Sequence, residues 1–112
     1  MAEADNVLKI ERLNGQNYRT WSYNMKLVLM EKGLSGFING DEVPPIASSP
    51  IATRSAFKAR SERAYSQIAL GVEKSLQVHI IGTTDPKEAC EILEKQFNVV
   101  SVSQVVGLNK RF

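Results

Sequence analysis

The sequence predicts an all-α fold, a small bundle of about four to six helices, from chain length, apolar spacing and helix-boundary signals. With 112 residues, 43% of them hydrophobic, the chain has enough apolar material for one modest core but not for a second full domain. Apolar residues recur at intervals of three and four, and Asn, Asp, Pro and Gly punctuate them where helices start and stop. Only Val78, Ile80 and Ile81 resemble a strand, and no second run of that kind lies nearby to pair with them.

Residues 1–12 read as an N-terminal tail or short lead-in segment. Met1 to Asn6 is polar and acidic, and Val7, Leu8, Ile10 and Leu13 form an apolar approach ending at the turn signal Asn14-Gly15. The first firm helix is expected between Asn17 as N-cap and Gly33 as left-handed C′ residue. Tyr18, Trp21, Met25, Val28 and Leu29 share one face of it, with Arg19, Asn24, Lys26 and Glu31 mostly elsewhere and Leu34 folding back after the cap. Gly36 to Gly40 is a compact apolar turn whose Phe37 and Ile38 plug the core.

Asp41 to Thr53 contains Pro44, Pro45 and Pro50 with Ser48 and Ser49, a composition that favours a mobile loop. Thr53 or Ser55 is expected to cap a second long helix with a stripe of Phe57, Ala64, Ile68 and Val72, flanked by Tyr65, Ala69 and Leu76. Gly71 is read as a bend or a break in it. Val78, Ile80 and Ile81, closed by Gly82, are read as a helix end. Asp85-Pro86-Lys87-Glu88 is the sharpest signal: Asp85 caps, Pro86 sits at N1 where it needs no donor, and Glu88 at N3 completes a capping box. Ala89, Ile92, Leu93 and Phe97 form the buried face of that helix, with Asn98 as its exit. Ser101 or Ser103 opens a further helix through Val102, Val105, Val106, Leu108 and Phe112. A chain ending on such a Phe reads as part of something longer.

Composition removes several function classes. Fourteen Lys and Arg stand against 12 Asp and Glu, and a net charge of +2 is too small to be a nucleic-acid footprint by itself. No basic, apolar leader and no membrane-length apolar run is present. A single Cys90 excludes an internal disulfide and a Cys-rich zinc site, which suits a reducing compartment. His79, the only histidine, has no ligand-spaced partner, and Cys90 sits within an amphipathic helix as a buried structural thiol. No nucleophile elbow, phosphate loop or catalytic carboxylate pair occurs, so neither enzyme activity nor a cofactor or small-molecule substrate is expected. Tyr18, Trp21, Met25, Leu29, Ile68, Leu93 and Phe97 are assigned to the structural core, because an aromatic stripe at helical spacing is core chemistry first. Arg54, Lys58, Arg60 and Arg63 form a basic cluster. Glu62 interrupts it, and it reads as a solvated helix face with RNA contact as the functional alternative.

Taken together, Leu13-Asn14-Gly15-Gln16-Asn17-Tyr18-Arg19-Thr20-Trp21, then Met25, Leu29, Gly33-Leu34 and Ile38-Asn39-Gly40, resemble the opening of copia-type LTR retrotransposon Gag polyproteins. Asp85, Glu88, Ala89, Leu93 and Phe97 continue that likeness, which runs from about Ile10 to Phe112. The family usually has tryptophan after the Glu-Ala pair, where this chain has Cys90; the smaller side chain leaves an apolar slot or a core filled from elsewhere. The resemblance implies a capsid-like N-terminal helical domain over 13–112, truncated before a second capsid domain and the zinc knuckle that often follows. It further implies a structural protein that self-associates into cytoplasmic virus-like particles around element RNA, with RNA bound through sequence beyond this chain. The partner is then another copy of itself, with no membrane. Subunit contacts are expected from the loop at Pro44, Pro45 and Ile46 and from Val102, Val105 and Phe112. A domesticated Gag-derived adaptor or inhibitor of assembly is the alternative. A helical DNA-binding domain ranks last, since Lys87, Glu91, Glu94 and Lys95 on the Asp85 helix are mixed in sign.

Overall fold

Local chemistry sets where each helix starts and stops. In the computed structural model, which describes residues 10–98, helix α1 spans Tyr18–Glu31 and turns Trp21, Met25, Val28 and Leu29 inward. Its C-terminus is a Schellman motif: Gly33 takes φ +72°, its N–H donates to the Met30 carbonyl at 3.1 Å, and the Leu34 N–H donates to the Leu29 carbonyl at 2.7 Å. Leu34 is thereby folded onto the core. Asn17 occupies the N-cap position, but its side chain makes no cap. Instead Asn17 Oδ1 accepts the Asn14 N–H at 2.9 Å and Asn17 Nδ2 donates to the Arg12 carbonyl at 3.0 Å, so it stitches the preceding turn.

The compact turn expected at 36–40 is a one-turn helix, α2, over Gly36–Asn39, with Phe37 buried and Gly40 in the left-handed region at φ +91°. Helix α3 spans Ile51–Leu70, so it begins ahead of the expected Thr53 or Ser55 cap. Pro50 stands at the N-cap with extended ψ, its carbonyl accepting the Arg54 N–H at 3.1 Å. A proline there fixes φ and removes one of the four N–H groups that a helix start leaves unpaired, and the first turn closes without a side-chain cap. Gly71 neither bends nor divides α3; it ends it, its N–H reaching the Gln67 and Ile68 carbonyls.

Beyond Gly71 the chain pairs briefly with residues before α1. Leu13 N–H donates to the Gly71 carbonyl at 2.8 Å and Glu73 N–H to the Leu13 carbonyl at 3.0 Å, an isolated parallel bridge between Leu13 and Val72. A 3₁₀ helix, Lys74–His79, follows and is held to α3 by Gln77 Nε2 donating to the Ala69 carbonyl at 2.8 Å. Ile80 is buried while Val78 and Ile81 face solvent, a pattern no half-buried strand would give because 78 and 80 would share a face. Helix α4, Pro86–Leu93, continues through a π turn, Glu94–Asn98. Asp85 caps it by accepting the Glu88 N–H at 3.2 Å. The return half of the expected capping box runs through a third group. Asp85 N–H donates to Thr83 Oγ1 at 3.1 Å, and the Thr83 hydroxyl donates to Glu88 Oε1 at 2.7 Å.

These elements enclose one core, with Leu13, Leu29, Leu34, Ile68, Ile80 and Leu93 wholly buried. Among the described residues there is no strand beyond that single bridge, and the all-α bundle expected from the sequence is the architecture observed. The helix read through Val102, Val105 and Phe112 lies outside the described residues, as do Val7 and Leu8.

Candidate functional site

The Leu13-to-Trp21 motif performs structural work at the end of α3. The last carbonyls of a helix lack intrahelical partners. Here the Gly71 carbonyl receives both the Leu13 N–H and, at 2.8 Å, the Trp21 indole Nε1–H. Gly15 takes φ +94°, and a Cβ there would lie 3.8 Å from the Phe97 ring, so the turn packs against the far end of α4. Trp21 and Met25 are buried beneath it, as are Leu29, Ile68, Leu93 and Phe97. Tyr18 is half-buried at the edge, its ring centroid 6.1 Å from that of Trp21. Burial first, then the carboxylate of Glu94 and Cys90, pushes its hydroxyl up to about 12.

Cys90 and His79 both pack against the core. Cys90 is half-buried, and burial, followed by Glu94 and Glu91, pushes its thiol up to about 12. A reactive cysteine needs the opposite shift. His79 is half-buried and meets the Phe97 ring edge-on at 5.5 Å. Among the described residues no group of three His, Cys, Asp or Glu side chains is arranged to hold a metal ion.

The basic cluster divides in two. Arg60 is a structural residue: its Nη2 donates to the Gly33 carbonyl at 2.8 Å and pairs with Glu42 at 2.9 Å, and its guanidinium lies 5.2 Å from the Phe37 ring centroid. Through Nη2 it clamps the end of α1, α2 and the loop onto α3. Arg54 donates through Nε to the Ser49 carbonyl at 3.0 Å but is exposed, and Lys58 and Arg63 face solvent. On α4, Lys87 and Glu91 pair at 2.7 Å as an exposed i,i+4 couple.

Three features of the surface expose apolar groups. A groove of about 340 Å³ runs between α1 and α4, lined by Tyr18, Trp21, Met25, Ile38 and Cys90 and rimmed by Lys26, Lys87, Glu91 and Glu94. Cys90 lines this groove. A second, of about 540 Å³, lies where Val43 and Pro45 meet Ala52, Ala56 and Phe57 of α3. Val43, Ile46 and Ile51 around it are each more than two-thirds exposed (71%, 71% and 73%), while Pro44 is exposed and Pro45 half-buried. The third feature is the outer side of α1, where Tyr23, Leu27 and Met30 are 61%, 42% and 53% exposed. In the sequence this face is masked by the inward apolar stripe that α1 also carries. Its signal was the i, i+4, i+7 spacing of three large apolar residues opposite Trp21 and Met25.

Residues 7–46 match the family described as Gag-polypeptide of LTR copia-type. No curated protein and no solved structure matches the chain. The matched stretch contains the Asn14–Asn17 turn, α1 with both its apolar faces, α2 and the start of the proline-rich loop, and it is tied into the rest of the bundle through the Gly71 carbonyl. Over residues 7–46, then, the chain is similar to the Gag polypeptide of LTR copia-type elements.

Proposed function

We propose that this chain is a structural Gag module that self-associates, supplying subunit contacts to a particle that encloses the element's own RNA and carrying out no chemical step. The observation that carries this reading is the copia-type Gag match over residues 7–46, on a helical unit that leaves large apolar side chains of α1, the loop and α3 exposed. Folded monomers rarely leave such apolar groups together unless something covers them. Many weak, repeated contacts of this size hold a shell through multivalency. Within the basic cluster, RNA contact falls first to Arg54, Lys58 and Arg63, since Arg60 Nη2 is already engaged. Assembly in the cytoplasm belongs to the same proposal; among the described residues, no helix is long and apolar enough to cross a membrane.

The test is light scattering on a size-exclusion column over a concentration series, with electron microscopy of the leading fractions. Mass that rises with concentration is the expected result. A monomer at every concentration overturns the proposal.

A further inference from the structure

We propose that the outer face of α1 is a seam on which it pairs, parallel and in register, with α1 of a second copy of this chain. The inference rests on the self-association reading and names the surface and the direction of pairing.

Tyr23, Leu27 and Met30 follow the four-then-three spacing of a two-stranded helical seam, with Leu27 at an a position and Tyr23 and Met30 at d positions. All three are large, apolar and exposed on a helix whose opposite side already fills the core. In that register Lys26 falls on one flank of the seam and Glu31 on the other, five residues later. Five apart, they cannot form the usual i,i+4 pair within one helix. In a parallel pair, however, the flank carrying Lys26 of one copy meets the flank carrying Glu31 of the other, and two-fold symmetry makes the contact twice. An antiparallel pair would set Lys26 against Lys26. Charge complementarity therefore selects a second copy as occupant and parallel as its direction.

The position of Glu31 favours a cationic neighbour on independent grounds. It lies in the last turn of α1, where the helix dipole disfavours a carboxylate, and no basic residue accompanies it in that turn. Among the described residues neither Lys26 nor Glu31 has an ion-pair partner. Three side chains fall well short of the roughly 800 Å² per partner that a stable dimer buries, so the seam gives a weak contact, of the kind a lattice multiplies.

The experiment is sedimentation equilibrium of the full 112-residue chain up to millimolar concentration, comparing wild type with Leu27→Glu, Lys26→Glu, Glu31→Lys and the double Lys26→Glu/Glu31→Lys swap, with circular dichroism to confirm folding. Leu27→Glu is expected to abolish the dimer. Each single charge reversal is expected to weaken it about fivefold, and the double swap to restore it. If an equimolar mixture of wild type and Lys26→Glu associates more tightly than either alone, Lys26 faces Lys26, the pairing is antiparallel and the proposal fails. If wild type associates and Leu27→Glu does so equally, the seam is wrong while self-association stands. If wild type stays monomeric throughout, both fall; a loss of thermal stability in Leu27→Glu would then show that a segment of the same chain covers this face.

Discussion

At the scale of single residues, the most informative side chain is Trp21. Its ring is buried, and its indole N–H is one of two donors to the Gly71 carbonyl, so one residue both fills the core and closes the end of α3. Trp21→Phe keeps an aromatic ring but loses that hydrogen bond and some volume. The expected cost is about 2 kcal/mol, read as a lower urea midpoint with an unchanged slope. Cys90 makes a prediction in pH. Its thiol is held protonated in the folded chain, up to about 12 against 9.0 for an unperturbed thiol. An acid raised in this way adds stability that is full below pH 9.0 and is lost as pH climbs toward 12, because only the unfolded chain releases the proton in that window. Tyr18 behaves alike from 10.0 to about 12. Cys90→Ala should therefore move the onset of alkaline destabilisation from about pH 9 to about pH 10, measured as urea midpoints across that range. An unchanged onset would show that Cys90 ionises as freely in the folded chain as in the unfolded one.

At the scale of elements, the clamp made by Arg60 separates architecture from RNA binding. It joins the α1 terminus, the loop at Glu42 and the Phe37 ring of α2. Arg60→Ala should lower stability by about 1 kcal/mol through the lost charge-assisted bond to the Gly33 carbonyl, whereas Arg63→Ala should leave stability unchanged. If the cluster touches RNA, Arg63→Ala weakens RNA retention with the fold intact; equal thermal shifts in the two variants would contradict the division drawn here. The same elements show what sequence can carry. Asp85-Pro86 and the Gly33 terminus were legible because the controlling bonds lie within a few residues. The start of α3 was misplaced because Pro50 closes its first turn through the backbone alone, leaving Thr53 and Ser55 as attractive but idle caps. Asn17 stands at the expected N-cap position, but its side chain bonds backward into the turn, as an Asx side chain does as readily as forward into a helix. The Arg60 clamp and the groove beside Cys90 depend on contacts between distant segments, which no local pattern encodes.

At the scale of the whole molecule, the question is which force would hold copies together. A net charge of +2 on 112 residues gives little mutual repulsion, and the exposed groups around α1 and at Val43, Ile46 and Ile51 are apolar. Contacts of that kind are insensitive to simple salt and are strengthened by sulfate, which is excluded from apolar surface. The Lys26 and Glu31 flanks add only a small screened component, since the Debye length falls from about 10 Å at 0.1 M to about 3 Å at 1 M salt. Association bridged by nucleic acid behaves differently: six or more phosphate contacts lose about a thousandfold in affinity over a few-fold rise in salt. Raising sodium chloride from about 0.1 M to about 1 M should therefore reduce the oligomer fraction only slightly, ammonium sulfate should increase it, and nuclease should leave it unchanged. Collapse of the oligomer in both high salt and nuclease would place the adhesive in RNA held by Arg54, Lys58 and Arg63, and the apolar faces would then need another occupant.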